Sequence, residues 1–173
     1  PLLSYVALVE PRAVLPFTRT LSLEAVRRLL QTPPRSVPQT LTAYLSRRGL
    51  LTGEQERQDV RRIFELAPTV KNIAAVARKL STSRRTLGRR FANAGLPVPS
   101  HWLQFGRLFH AAIRLQQEPT AMFRIAAKLG YSDGFTMSNQ MKRLIDCRPT
   151  DLRTRLGWEW IVESWIKREV ETS

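Results

Sequence analysis

After residue 22 the apolar positions recur at helical spacing almost throughout, with proline and glycine marking the breaks. Ser22 to Gln31 reads as a helix, capped by Ser22 and favoured by Glu24 in its first turn. Pro33 to Pro38 interrupts it, and Pro38 can open a second helix that runs to Arg48 and ends at Gly49. Glu54 to Leu66 follows, with Val60, Ile63 and Phe64 inward. Pro68 breaks the pattern, and Thr69 is the candidate cap for a short helix, Ile73 to Leu80. Ser83 to Asn93 is the next, stopped by Gly95. Beyond a proline-flanked loop, Leu96 to Pro99, Ser100 caps a long helix reaching Gln117, with Leu103, Leu108, Ala112 and Leu115 as its inward stripe. Only Ser4 to Val9 has strand character, and Pro11 and Pro16 keep it from becoming a helix.

The most specific stretch is RIAAKLGYSDGFTMSNQMKRLIDCRPTDLR, Arg124 to Arg153. Ile125, Ala126 and Leu129 form a short apolar face, and Gly130 ends that helix, because positive φ is cheap only for glycine. Ser132 or Asp133 can cap a second helix whose inward positions are Met137, Met141 and Leu144. Short helix, turn and second helix make a helix-turn-helix, in which the second helix enters the DNA major groove. The unit occurs twice. Val76, Ala77, Leu80, Ser81, Leu87 and Phe91 match Ile125, Ala126, Leu129, Gly130, Met137 and Met141, with one extra residue in the second turn.

These residues resemble a known family. IAAKLGYSDGFTMSNQMKR, with Pro149 and Arg153 after it, is similar to the C-terminal half of the AraC/XylS-type transcription regulator domain. Ile73 to Leu115 resembles its N-terminal half, and the likeness spans Glu54 to Arg155. The resemblance implies two helix-turn-helix subdomains joined by one long helix and bound to DNA. It places base contacts at Arg85, Gly88 and Arg89 on the first recognition helix, and at Gly134, Phe135, Thr136 and Asn139 on the second. Gly88, Gly134, Asn139, Asp146 and Arg148 depart from the residues common there. The connecting helix, eighteen residues at about 1.5 Å each, would be roughly 27 Å long, near the ~34 Å between major-groove entrances on one DNA face.

Charge agrees with a polyanionic partner. The formal net charge is +14, and no acidic residue falls between Leu66 and Gln117. Leu87 and Phe91 face inward, which leaves Arg84, Arg85, Gly88 and Arg89 outward, and Arg90 adds to the same basic stretch. Arginine can bond guanine O6 and N7 together, although a solvated face touching phosphate alone is the plainer use of such residues. On the second helix Phe135 is suited to a thymine methyl, Asn139 to adenine, and Lys142 and Arg143 to phosphate, with Thr136 beside them. The tail has the opposite balance, with Glu159, Glu163, Glu169 and Glu171 against Lys167 and Arg168.

Nothing in the chain assembles a catalytic or metal site. His101 and His110 have no ligand partner at metal spacing, and the single Cys147 permits no intrachain disulfide. Neither enzymatic activity nor a cofactor is expected. The expectation is therefore an all-α protein in three parts. Residues 1–53 form an N-terminal segment, 54–155 the DNA-binding domain, and 156–173 an extra amphipathic helix with Trp158, Ile161, Val162, Trp165 and Ile166 on one face and a Glu163–Lys167 pair on the other. Starting at Pro1 without Met, the chain reads as a fragment or processed product that has lost an upstream sensor domain. Double-stranded DNA is the expected partner, in a cytoplasmic, nucleoid-associated setting with no membrane contact. RNA polymerase, or a second copy through the N-terminal segment or the C-terminal helix, are further partners left open. The competing reading is a helical protein–protein interaction module whose basic surface is incidental.

Overall fold

A computed structural model of the chain describes residues 22–32, 34–117, 120–155 and 157–171. Among these the fold is all α, with ten helices and no strand. The expected strand at Ser4 to Val9 lies outside the described residues.

The first helix, α1 (Leu23–Gln31), is capped by Ser22, whose Oγ accepts from the Ala25 amide at 3.2 Å. Helix α2 (Val37–Arg47) has proline in its first turn, and the chain leaves it through Gly49 at φ 73°. Leu41 and Leu45 of α2 are fully buried, as are Val60, Ile63 and Phe64 of α3 (Glu54–Leu66). Two caps differ from expectation. Asn72, not Thr69, caps α4 (Ile73–Lys79), accepting from Ala75 N at 3.0 Å, while the Thr69 hydroxyl turns back to Leu66 O at 3.1 Å and closes α3. Pro99, not Ser100, opens the long helix α6 (Pro99–Gln117), where its missing N–H costs no helical bond.

Helix α6 is the axis of the molecule. It packs against α3, α4 and α5 (Arg84–Asn93), and also against α7 (Met122–Lys128), α8 (Gly134–Ile145) and α9 (Pro149–Leu152). A helix so enclosed is apolar on more than one stripe. Besides the four expected residues it buries Trp102, Phe105, Phe109, Ala111 and Ile113. Gly106 lets α3 come close, since a Cβ there would sit 2.8 Å from Phe64 Cδ1 and 3.0 Å from Ala67 Cβ.

The last helix, α10 (Glu159–Glu171), closes the core. Trp165 stacks on Phe105 with centroids 4.2 Å apart at 10°, and meets Trp102 edge-on at 4.8 Å. Trp158 meets Phe109 at 5.9 Å and Tyr44 of α2 at 5.4 Å. Glu163 accepts from the Tyr44 hydroxyl at 2.6 Å and from both Nε and Nη2 of Arg48 at 2.9 and 3.0 Å. One core thus runs from Leu41 to Trp165, through the positions where the sequence pattern suggests breaks at 53 and 155.

Candidate nucleic-acid interface

The two helix-turn-helix units are built by the same bonds. In the first, Leu80 ends α4, Ser81 takes the left-handed conformation at φ 51°, and Thr82 N donates to Ala77 O at 3.0 Å. In the second, Leu129 ends α7, Gly130 sits at φ 73°, and Tyr131 N donates to Ala126 O at 3.0 Å. Ser81 therefore adopts, with a side chain, the conformation that glycine supplies at the matching place. Each recognition helix then starts on a side-chain cap. Ser83 Oγ accepts from Thr86 N at 3.0 Å, and Asp133 Oδ1 accepts from Thr136 N at 2.6 Å. Of the two caps the sequence leaves open for α8, Asp133 is the one used, and Ser132 bonds it and Thr136 Oγ1 from outside. Leu87, Phe91, Met137 and Met141 are buried to within 1%. Burying those four fixes which residues of α5 and α8 look outward.

On α5, Arg84, Arg85 and Arg89 are exposed and have no ion-pair partner among the described residues. Arg90 is placed differently. Its Nη1 lies 3.3 Å from Oδ2 of Asp59, a carboxylate on α3 that is only 4% exposed, and Gln55 Nε2 donates to the other oxygen at 3.2 Å. Nothing lies within 4 Å of a Cβ built on Gly88, so that position has room for a side chain it does not carry.

On α8, Phe135 is 74% exposed, with Thr136 and Asn139 exposed beside it. Gly134 has a packing reason. A Cβ there would meet Met122 Cε at 3.2 Å, so glycine lets the start of α7 press on the start of α8. Lys142 forms an ion pair with Asp146 one turn on, and Arg143 Nη2 donates to Gln104 Oε1 of α6 at 2.6 Å. Asp146 caps α8 in the left-handed conformation, φ 51°. The Lys142 hydrogen bond and charge, with Arg168 behind them, hold its carboxyl below the usual range.

Some residues around the two units carry no readable sequence signal. Phe123 is 63% exposed, with the Arg124 guanidinium 5.8 Å from its ring centroid. Arg107, within the acid-free stretch, points inward. Its Nη2 donates to Val70 O at 2.6 Å and Lys71 O at 3.2 Å, and its guanidinium lies 5.8 Å from the Tyr131 ring, tying one unit's loop to the other unit's turn. The histidines hold elements together. His101 Nδ1 is 3.0 Å from Glu169 Oε2, and His110 Nε2 is 3.3 Å from Phe64 O. Burial, first of all, pulls the His110 pKa down. Cys147 is 3% exposed and its thiol pKa is raised by burial, the reverse of what a reactive thiolate needs. Among the described residues no three His, Cys, Asp or Glu side chains are grouped to hold a metal, and no helix is long and apolar enough to cross a membrane.

Two such units on one helical frame, each with an outward polar and basic recognition helix, define a DNA-binding helix-turn-helix regulator of transcription. Residues 76–155 match the helix-turn-helix domain family. The regulatory protein SoxS of Escherichia coli (strain K12) is 34% identical over 85 residues, covering 49% of this chain and 79% of that protein. SoxS of Salmonella typhimurium (strain LT2) matches to the same extent. The chain belongs to the AraC/XylS-type family of transcription regulators.

Proposed function

We propose that this regulator recognises a specific duplex sequence by seating α5 and α8 in adjacent major grooves on one face of the DNA. The observation that carries the reading is the repeat itself. The same turn, the same kind of cap and the same buried pair occur at both ends of α6, whose 19 residues give about 28 Å, close to one turn of B-DNA. Arg85 and Arg89 are one helical turn apart on an exposed stripe and suit guanines. Phe135 and Asn139 suit an A·T-containing half-site. Arg84 contributes phosphate affinity, Thr136 lies among the groove-facing residues, and Lys142 and Arg143 meet phosphate from the end of α8. Arg90, bonded to Asp59, serves the fold.

The apolar face of α10, on which an interaction-module reading would depend, is spent inside the core: Ile161 and Val162 are 0% exposed and Trp165 1%. A dimer contact through α10 would have to use its outer side.

The test is a fluorescence-anisotropy titration against duplexes selected from a random pool. Wild type should prefer the selected duplex, and its affinity should fall steeply with salt. Arg85→Ala with Arg89→Ala should cost about 1–3 kcal/mol per lost base contact and flatten the preference at those positions. Salt-dependent binding that never varies with sequence would refute the proposal.

A further inference from the structure

We infer that Asp146 sets the phosphate affinity of the second recognition helix, by holding Lys142 in competition with the DNA backbone. The inference rests on the groove-binding role of α8 proposed above.

Asp146 breaks two local rules at once. It takes the left-handed cap at φ 51° without being glycine, and it places a carboxylate at the negative end of a helix. The carboxylate is nonetheless fixed in place. Lys142, on the same helix, holds one oxygen, and Arg168 Nη2 of α10 lies 3.3 Å from the other. Arg168 Nη1 also donates to Arg143 O at 3.4 Å, so the C-terminal helix grips both Asp146 and the last turn of α8. The last turn of α8 carries Lys142 and Arg143, the basic residues at that end of the helix.

The consequence follows from charge. Lys142 and Asp146 are both more than half exposed at the side chain, so their pair is weak and exchangeable in water. A phosphate reaching Lys142 must displace Asp146 and lie near its negative charge. Arg168 of the C-terminal helix thus helps to fix Asp146 beside Lys142, where α8 would otherwise present an uncompensated cation. That lowers sequence-independent affinity and leaves the base-reading residues, Phe135 and Asn139, untouched.

Asp146→Asn removes the charge, and asparagine tolerates the left-handed cap. Anisotropy on the full chain, with a selected 30-bp duplex and an unrelated one, should show roughly four- to tenfold tighter binding to both at 50 mM salt. The log–log salt slope should become more negative by about 0.9, so that the gain shrinks about 3.5-fold by 200 mM. In a Lys142→Gln background the same substitution should gain much less, because Lys142 is the cation of α8 that Asp146 holds, while Arg168 keeps the other oxygen in either background. Asp146→Gly, which fits the cap best, serves as the second variant, and thermal melting confirms that each variant is folded. Unchanged or weaker binding by folded Asp146→Asn would overturn the inference. So would a gain of undiminished size in Lys142→Gln, since that would be a mere change in net charge. Wild type that bound no duplex at all would instead sink the groove-binding proposal, and this inference with it.

Discussion

The ion pair between Arg90 and Asp59 separates two kinds of arginine on α5, and a stability measurement can read the separation. Asp59 is 4% exposed, and its two carboxylate oxygens are met by Arg90 and Gln55. Arg90→Ala leaves that carboxylate in the core with the Gln55 amide alone. Removing one member of a fully buried pair costs about 3–5 kcal/mol. Here the Arg90 side chain is 42% exposed and water can reach the vacated side, so about 1–3 kcal/mol is the reasonable range. In a chain of this size that is a drop of roughly 3–9 °C in Tm. Arg89→Ala, one residue away and exposed without an ion-pair partner, should change stability by less than about 0.5 kcal/mol and weaken DNA binding instead. Adding Asp59→Asn to Arg90→Ala should recover part of the loss, because the orphaned charge is gone. Calorimetric or circular-dichroism melting of wild type and the three variants, paired with anisotropy on DNA, checks all of this. If Arg90→Ala melted with wild type and lost affinity as Arg89→Ala does, the assignment of Arg90 to the fold would be wrong.

Three further outcomes are expected. Gly106→Ala should destabilise by about 1–3 kcal/mol in urea unfolding, because its Cβ would press on Phe64 and Ala67 where α3 crosses α6. Ser81→Gly should stabilise by up to about 1 kcal/mol in the same assay, by relieving a left-handed serine. His110, whose folded pKa lies below its ordinary value, binds a proton less readily folded than unfolded. Its stabilising contribution is therefore full above the ordinary histidine range and is lost as pH falls through the lowered folded value. His110→Gln should flatten the stability difference between pH 7.5 and pH 5.5 measured by chemical denaturation.

What the sequence discloses about this protein is mostly what is local. Ser22, Ser83 and Asp133 cap their helices through bonds only three residues long, and Gly49, Gly95 and Gly130 end helices by their own φ preference. Those signals, with the spacing of Leu87 and Phe91 or Met137 and Met141, suffice to draw both helix-turn-helix units and the outward residues between them. Arg90 is illegible for the opposite reason: its partner is 31 positions away on another helix. Arg107 likewise aims at carbonyls more than 30 positions back. The all-round burial of α6 escapes a reading that looks for one inward stripe, since helices on several sides are visible only once they are packed. Thr69 reads as the cap of α4; that it closes α3 instead, leaving Asn72 to cap α4, depends on how the two helices meet. The tail's apolar face announces that it is covered; that Phe105 and Trp102 cover it depends on tertiary packing.

Hydroxyl-radical footprinting of the chain on a selected duplex bears most directly on how α5 and α8 meet DNA. Two recognition helices in neighbouring grooves should leave two protected patches on the same face, centred about 10 bp apart, and Arg85→Ala with Arg89→Ala should erase one patch while the other remains. A single patch in wild type, or protection that disappears everywhere together in that variant, would contradict the two-groove account.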